Sequence, residues 1–179
     1  MMMDHDELQR AVVHLARDNE RRFWGKYRGI VTDVADPNTP GRIKAKVPEL
    51  FDDEATGWAM PCVPYAPPHH GFLVLPEPES NVWIEFEGGD VSRPIWSGAF
   101  WPDGTAPAAA TEHVKLLETK GETKITFDDT SGSESLKIEI KSGAKITLDQ
   151  NGIVLEFSGQ KVALSNGQIA FNDSSMTVM

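Results

Sequence analysis

The chain has 179 residues, enough for one ordinary domain and something smaller beside it. Forty percent of them are hydrophobic and 25 percent charged, the balance of a chain that folds, and no apolar run approaches the roughly 20 residues that cross a bilayer. A net charge of −10 argues against nucleic acid as a partner, because Lys and Arg on phosphate supply most of that affinity.

Residues 1–24 are expected to form an N-terminal helix. Leu8, Ala11, Val12, Leu15 and Ala16 recur at helical spacing, with Asp4 or Asp6 as possible caps. The stripe is thin, so the helix needs a partner surface. The opening "MMMDHDELQR" is acidic and lacks the apolar core of a signal peptide, so the protein is expected to be made and kept in the cytoplasm.

Residues 25–103 change to strand patterns. "KYRGIVTDV" and "GRIKAKVPEL" flank the turn "ADPNTPG"; "GWAMPCVPY", "GFLVLPEPES", "NVWIEFEGGD" and "SRPIWSGAFW" follow. Five or six short strands between turn signals predict a small closed barrel or sandwich. Trp83 and Trp96 fall in alternating strands and are expected in its core, as is Cys62, a lone apolar-flanked thiol. All five tryptophans and all twelve prolines lie before position 108, which marks a boundary, and 104–120 are expected to be a linker rich in small residues.

Residues 121–179 repeat one phrase, a short alternation closed by a turn. The apolar sets are Ile125/Phe127, Ile138/Ile140, Ile146/Leu148, Ile153/Leu155/Phe157, Val162/Leu164 and Ile169/Phe171. Period-two alternation means half-buried strands, yet no amphipathic helix follows to cover them. A lone ribbon would leave that face wet and two edges open. The missing layer is either the N-terminal barrel or the same segment from other chains. Three ribbons around a threefold axis would make these sets a dry trimer core and pair every edge.

The middle segment, through "GRIKAKVP", "GFLVLPE", "VWIEFEGGD" and "RPIWSG", resembles the OB-fold domain of phage baseplate assembly protein V and its relatives among type VI secretion and contractile-injection spikes. The tail resembles that family's trimeric β-helix in style. The resemblance implies a mainly β fold: N-terminal helix, OB-fold barrel, then an intertwined trimeric β-helix needle. It implies a homotrimer seated on a baseplate hub protein within an inner tube and sheath assembly. The spike would meet the target membrane only on firing, and would sit in the virion or injection particle after cytoplasmic assembly. Some relatives carry a lysozyme domain before the needle, for which the linker here leaves no room. Others end in a His-x-His iron site, which "NDSSMTVM" lacks. A PAAR-type tip protein (a proline-alanine-alanine-arginine repeat protein) is therefore expected to dock on Met176, Val178 and Met179.

The other conspicuous residues have plainer roles. His69 and His70 are adjacent and so do not share a face for a metal. Asp128 and Asp129 precede "TSG" and read as turn formers rather than paired catalytic carboxylates. No nucleophile triad or phosphate-cradling glycine pattern is present, so no catalytic, cofactor or metal residues are assigned. The alternative function is an OB-fold binder of nucleic acid or glycan, with exposed tryptophans as stacking platforms.

Overall fold

The computed structural model describes residues 4–20, 22–39, 41–172 and 176–178. The chain divides into two compact units, Met1–Gly104 and Thr105–Met179.

The first unit opens with helix α1, His5–Glu20, whose Leu8, Val12 and Val13 are exposed. Five strands follow: β1 (Tyr27–Asp33), β2 (Lys44–Lys46), β3 (Met60–Pro61), β4 (Asn81–Phe86) and β5 (Pro94–Ala99), with a one-turn helix α2 (Pro48–Phe51) after β2. Their order across the sheet is β2-β1-β4-β5-β3, with β3 parallel to β5 and the other pairs antiparallel. Ile43 and Ala59 exchange backbone hydrogen bonds of 3.2 and 2.7 Å, which joins the ends of β2 and β3 and closes the sheet into an OB-type barrel.

Alternation decides what fills that barrel. Val82, Ile84 and Phe86 on β4 point in, beside Val31, Ile43, Ala45, Val47, Ala59 and Trp96. Phe23, Tyr27 and Phe51 surround Phe86 at 5.8–6.1 Å between centroids. The Trp96 ring is 4 % exposed, and its Nε1–H donates to the Gly41 carbonyl at 3.0 Å, so its polar edge is satisfied in the core. In the β1–β2 turn, Asp36 accepts from Arg42 Nε and from the Asn38 amide, and the Arg42 bond foremost holds its carboxyl below the usual range.

Three expectations fail in this unit. Trp83 has the opposite parity to Ile84 and faces outward, its ring 4.6 Å from Phe100 with the Arg28 guanidinium 5.9 Å from its centroid. Cys62 is exposed, because its amide still donates to the Trp96 carbonyl at 2.9 Å and alternation turns its side chain outward between the half-buried Pro61 and Val63. The "GFLVLPEPES" stretch makes no strand, only a Tyr65–Phe72 bridge, since the prolines around it remove the donors a ladder needs.

The second unit is one antiparallel meander of eight strands: β6 (Val114–Glu118), β7 (Lys124–Asp128), β8 (Ser135–Glu139), β9 (Lys145–Asp149), β10 (Gly152–Phe157), β11 (Gln160–Ser165), β12 (Gln168–Phe171) and β13 (Met176–Val178). Each pairs only with its sequence neighbours, leaving β6 and β13 as the edges. Strand β6 lies in the stretch expected to be linker. Its adjacent Leu116 and Leu117 break the period-two pattern, which is why the sequence does not announce it.

Turn chemistry sets the register. Ser158 (φ 51°) and Gly159 (φ 78°) form a two-residue loop with both φ positive, the geometry whose twist suits a tight hairpin. Gly152 sits at φ 140°, and a Cβ there would lie 1.9 Å from the Leu164 carbonyl oxygen. Backbone cannot yield as a side chain can. Gly152→Ala is therefore expected to cost more than about 1 kcal/mol, read as a lowered denaturation midpoint for this unit. An unchanged midpoint would mean that β10 and β11 approach less closely than this.

Candidate functional site

Directly opposed residues in an antiparallel sheet share a face, so the register assigns every side chain of the meander to one side or the other. One row runs Leu117, Ile125, Ile138, Ile146, Leu155, Val162, Phe171, Met176. The next runs Lys115, Phe127, Leu136, Leu148, Ile153, Leu164, Ile169. Phe157, two residues beyond Leu155 on β10, and Ile140, just past the end of β8, extend the same face. All thirteen residues assigned to a trimer core thus lie on one side of one sheet.

That side is uncovered in the single chain. Ile146 is 36 % exposed and Phe157 57 %, with Phe127, Ile140, Ile153, Leu155, Leu164, Ile169 and Phe171 between them. An apolar groove of about 460 Å³ runs over Ile138, Ile146, Leu155, Phe157, Val162 and Phe171. Soluble chains rarely leave a contiguous apolar face of this size in water. It is a surface made to be covered.

Leu117 and Leu136 join the face although they were not among the assigned residues. Leu136 was within reach of the sequence, since 136, 138 and 140 continue one alternation; Leu117 was hidden in the supposed linker. Met176 and Val178, expected to dock a tip protein, lie on the last strand, β13. Met176 stands opposite Phe171 and continues the first apolar row on the last strand; Val178 pairs with Ile169 in the backbone register, and Met179 lies outside the described residues. At the other edge Lys115 stands opposite Phe127 and pairs with Asp129 at 2.8 Å, a charge that discourages a stray strand from adding to β6.

The reverse side carries a ladder of alternating sign. Glu118, Lys124, Glu139, Lys145, Glu156 and Lys161 oppose one another in turn across six strands. Lys124 reaches Glu118 at 2.8 Å and Lys145 reaches Glu139 at 3.4 Å. The hydrogen bond that Lys124 donates to Glu118, then the charge of Glu118, raises the Lys124 pKa above the ordinary 10.5. A raised lysine pKa stabilises in full below the unfolded value and loses that stabilisation as pH climbs through the folded one, so this pair weakens only in strong alkali. A one-residue slip would destroy both the ladder and the apolar face. Glu139→Lys, which sets three lysines in a row, is expected to lower Tm by a few degrees in low salt and by less in 0.5 M salt. Salt-independent loss would point to packing instead.

Asp128 and His70 have local structural partners. Asp128 accepts from the Thr130 amide, and its bonds to Thr130 hold its carboxyl below the usual range, as a turn former's would be. His70 packs edge-on to Tyr65 at 5.9 Å.

Residues 27–101 match the type VI secretion system/phage-baseplate injector OB domain. Residues 113–177 match the phage baseplate V C-terminal trimerisation domain, the stretch that forms the meander and its open apolar face. The chain belongs to the phage baseplate V spike family. No curated protein matches it. Both matched families are structural baseplate domains, and the baseplate V trimerisation match coincides almost residue for residue with β6 to β13.

Proposed function

We propose that this chain is the central spike of a contractile phage tail or related injection particle. Three copies close their apolar faces around a threefold axis, and the resulting needle is driven through the target envelope when the sheath contracts. The observation that carries this reading is the uncovered apolar face within the trimerisation match. The thirteen assigned residues, with Leu117 and Leu136, form the dry core. With strands stacked at 4.7–4.9 Å, the eight of them make a needle about 34 Å long.

In this reading the OB barrels sit on the baseplate hub, the inner tube and sheath surround the assembly, and a PAAR-type tip caps the β13 end. The protein acts by shape and stiffness, with no catalytic step. It is assembled in the cytoplasm and meets a membrane only on firing. Support for the tip comes from β13 being an edge strand that carries Met176, a side chain that adapts to a partner. The test is complementation: particles lacking the chain, viewed by electron microscopy, should show no finished baseplate. Wild-type chain should restore it and Ile146→Asp should not. Complete particles without the chain would overturn the proposal.

A further inference from the structure

The outer face of β1 and β4 is not the plain polar surface that alternation leads one to expect. Arg28 stands opposite Trp83 and Ile30 opposite Asn81, so these four share that face. The Phe100 amide donates to the Asn81 carbonyl at 3.1 Å, which brings Phe100 and Trp101 beside them. The Arg28 guanidinium lies 5.9 Å from the Trp83 centroid and 5.4 Å from that of Phe100. Stacking of this kind occupies the faces of a guanidinium and leaves its N–H edge for a ligand. Lys26, Arg42, Lys46 and Arg93 of the same unit each pair with an acid. Arg28 pairs with none among the described residues. Beside it runs a groove of about 520 Å³, lined also by Ile30, Asn81, Phe100, Trp101 and Asp103, a size that suits a small molecule. The side chains of Asn81 and Asp103 have no hydrogen-bond or ionic partner among the described residues, and the Trp101 ring is exposed.

We infer that this groove binds an acidic sugar, a pyranose ring bearing one carboxylate. Each lining group answers one part of that ligand. The planar guanidinium of Arg28 matches a carboxylate with two parallel N–H donors. Asp103 only accepts, so the ligand must bring donors as well, and a sugar's hydroxyls are such donors. The Asn81 amide both donates and accepts, as a hydroxyl does. Trp101 offers a flat apolar surface to the C–H face of the ring. Asp103 also argues against phosphate, whose second negative charge it would repel on a chain of net charge −10. The site lies wholly within the first unit and does not depend on the trimer reading.

The test titrates the full chain with glucuronate and follows the sugar protons by saturation-transfer NMR, with glucose as the neutral control. A ligand held by one ion pair and a few hydrogen bonds should show a Kd of about 1–10 mM. Glucose should bind at least about ten-fold more weakly, for want of the carboxylate. Arg28→Gln and Trp101→Ala should each weaken glucuronate by about ten-fold. Both side chains are exposed, so the denaturation midpoints should stay with the wild type. Galacturonate and trigalacturonate, run in parallel, tell a free sugar from a polysaccharide: tighter binding of the longer one identifies a chain, equal binding a single unit, and either upholds the site. Absence of saturable binding would overturn it, as would glucose matching glucuronate or Arg28→Gln binding like the wild type. Displacement of glucuronate by an equal concentration of inorganic phosphate or benzoate would overturn the assignment to a sugar.

Discussion

Ile146→Asp should leave this protein as separate chains at micromolar concentration, where the wild type should have the mass of three. Ile146 stands between Ile138 and Leu155 in the first apolar row and borders the groove at its centre. The substitution places three carboxylates around one axis. Each loses its hydration with no cation to replace it, at a cost of several kcal/mol, and the three repel one another. Assembly can then proceed only by keeping them neutral, so acidification towards pH 5 should recover part of the trimer as the raised carboxyl pKa is passed. Lys145→Gln, one position away on the ladder face, should keep the mass of three chains and move Tm by a few degrees at most. Light scattering with a denaturation curve reads all three. Equal damage from the two variants would mean that the face is assigned wrongly.

Trp96→Ala should unfold the barrel at moderate temperature while leaving the meander's circular dichroism in place. The side chain is 4 % exposed and closes the core against β4, where its strand pairs Ile84. Truncating a buried aromatic costs about 3–5 kcal/mol, lost burial plus the cavity left behind. The indole N–H is removed too, and the Gly41 carbonyl it satisfied is left without that donor. Against a typical stability of 5–15 kcal/mol, most of the margin goes. Trp101→Ala, at a ring 66 % exposed, should stay within about 0.5 kcal/mol. A barrel that tolerated Trp96→Ala as well as Trp101→Ala would have its core elsewhere.

The sequence by itself determined that the C-terminal third is a run of short strands with one apolar side. Period-two alternation is a local signal, and "KITFD", "KITLD" and "GIVLEF" carry it without help from distant residues. The turn glycines were legible for the same reason, as at Gly159, because tolerance of positive φ belongs to the residue itself. Barrel membership was legible as strand-rich sequence, but the parity of Trp83 was not. Both Trp83 and Ile84 are apolar, and only the packing of Val82, Ile84 and Phe86 around one interior decides which row faces in. The proline-rich stretch from 71 to 80 looked like a strand by hydrophobicity and became a braced loop because ladder donors were missing. Strand β6 depended on pairing with β7, which no local pattern in "VKLLE" could announce. The pairing register itself was also beyond the sequence. Alternation says that a strand has two sides, but hydrogen bonds between strands decide which residues stand opposite. Those bonds put Met176 and Val178 in line with Phe171 and Ile169 and set Glu118 to Lys161 in one alternating ladder.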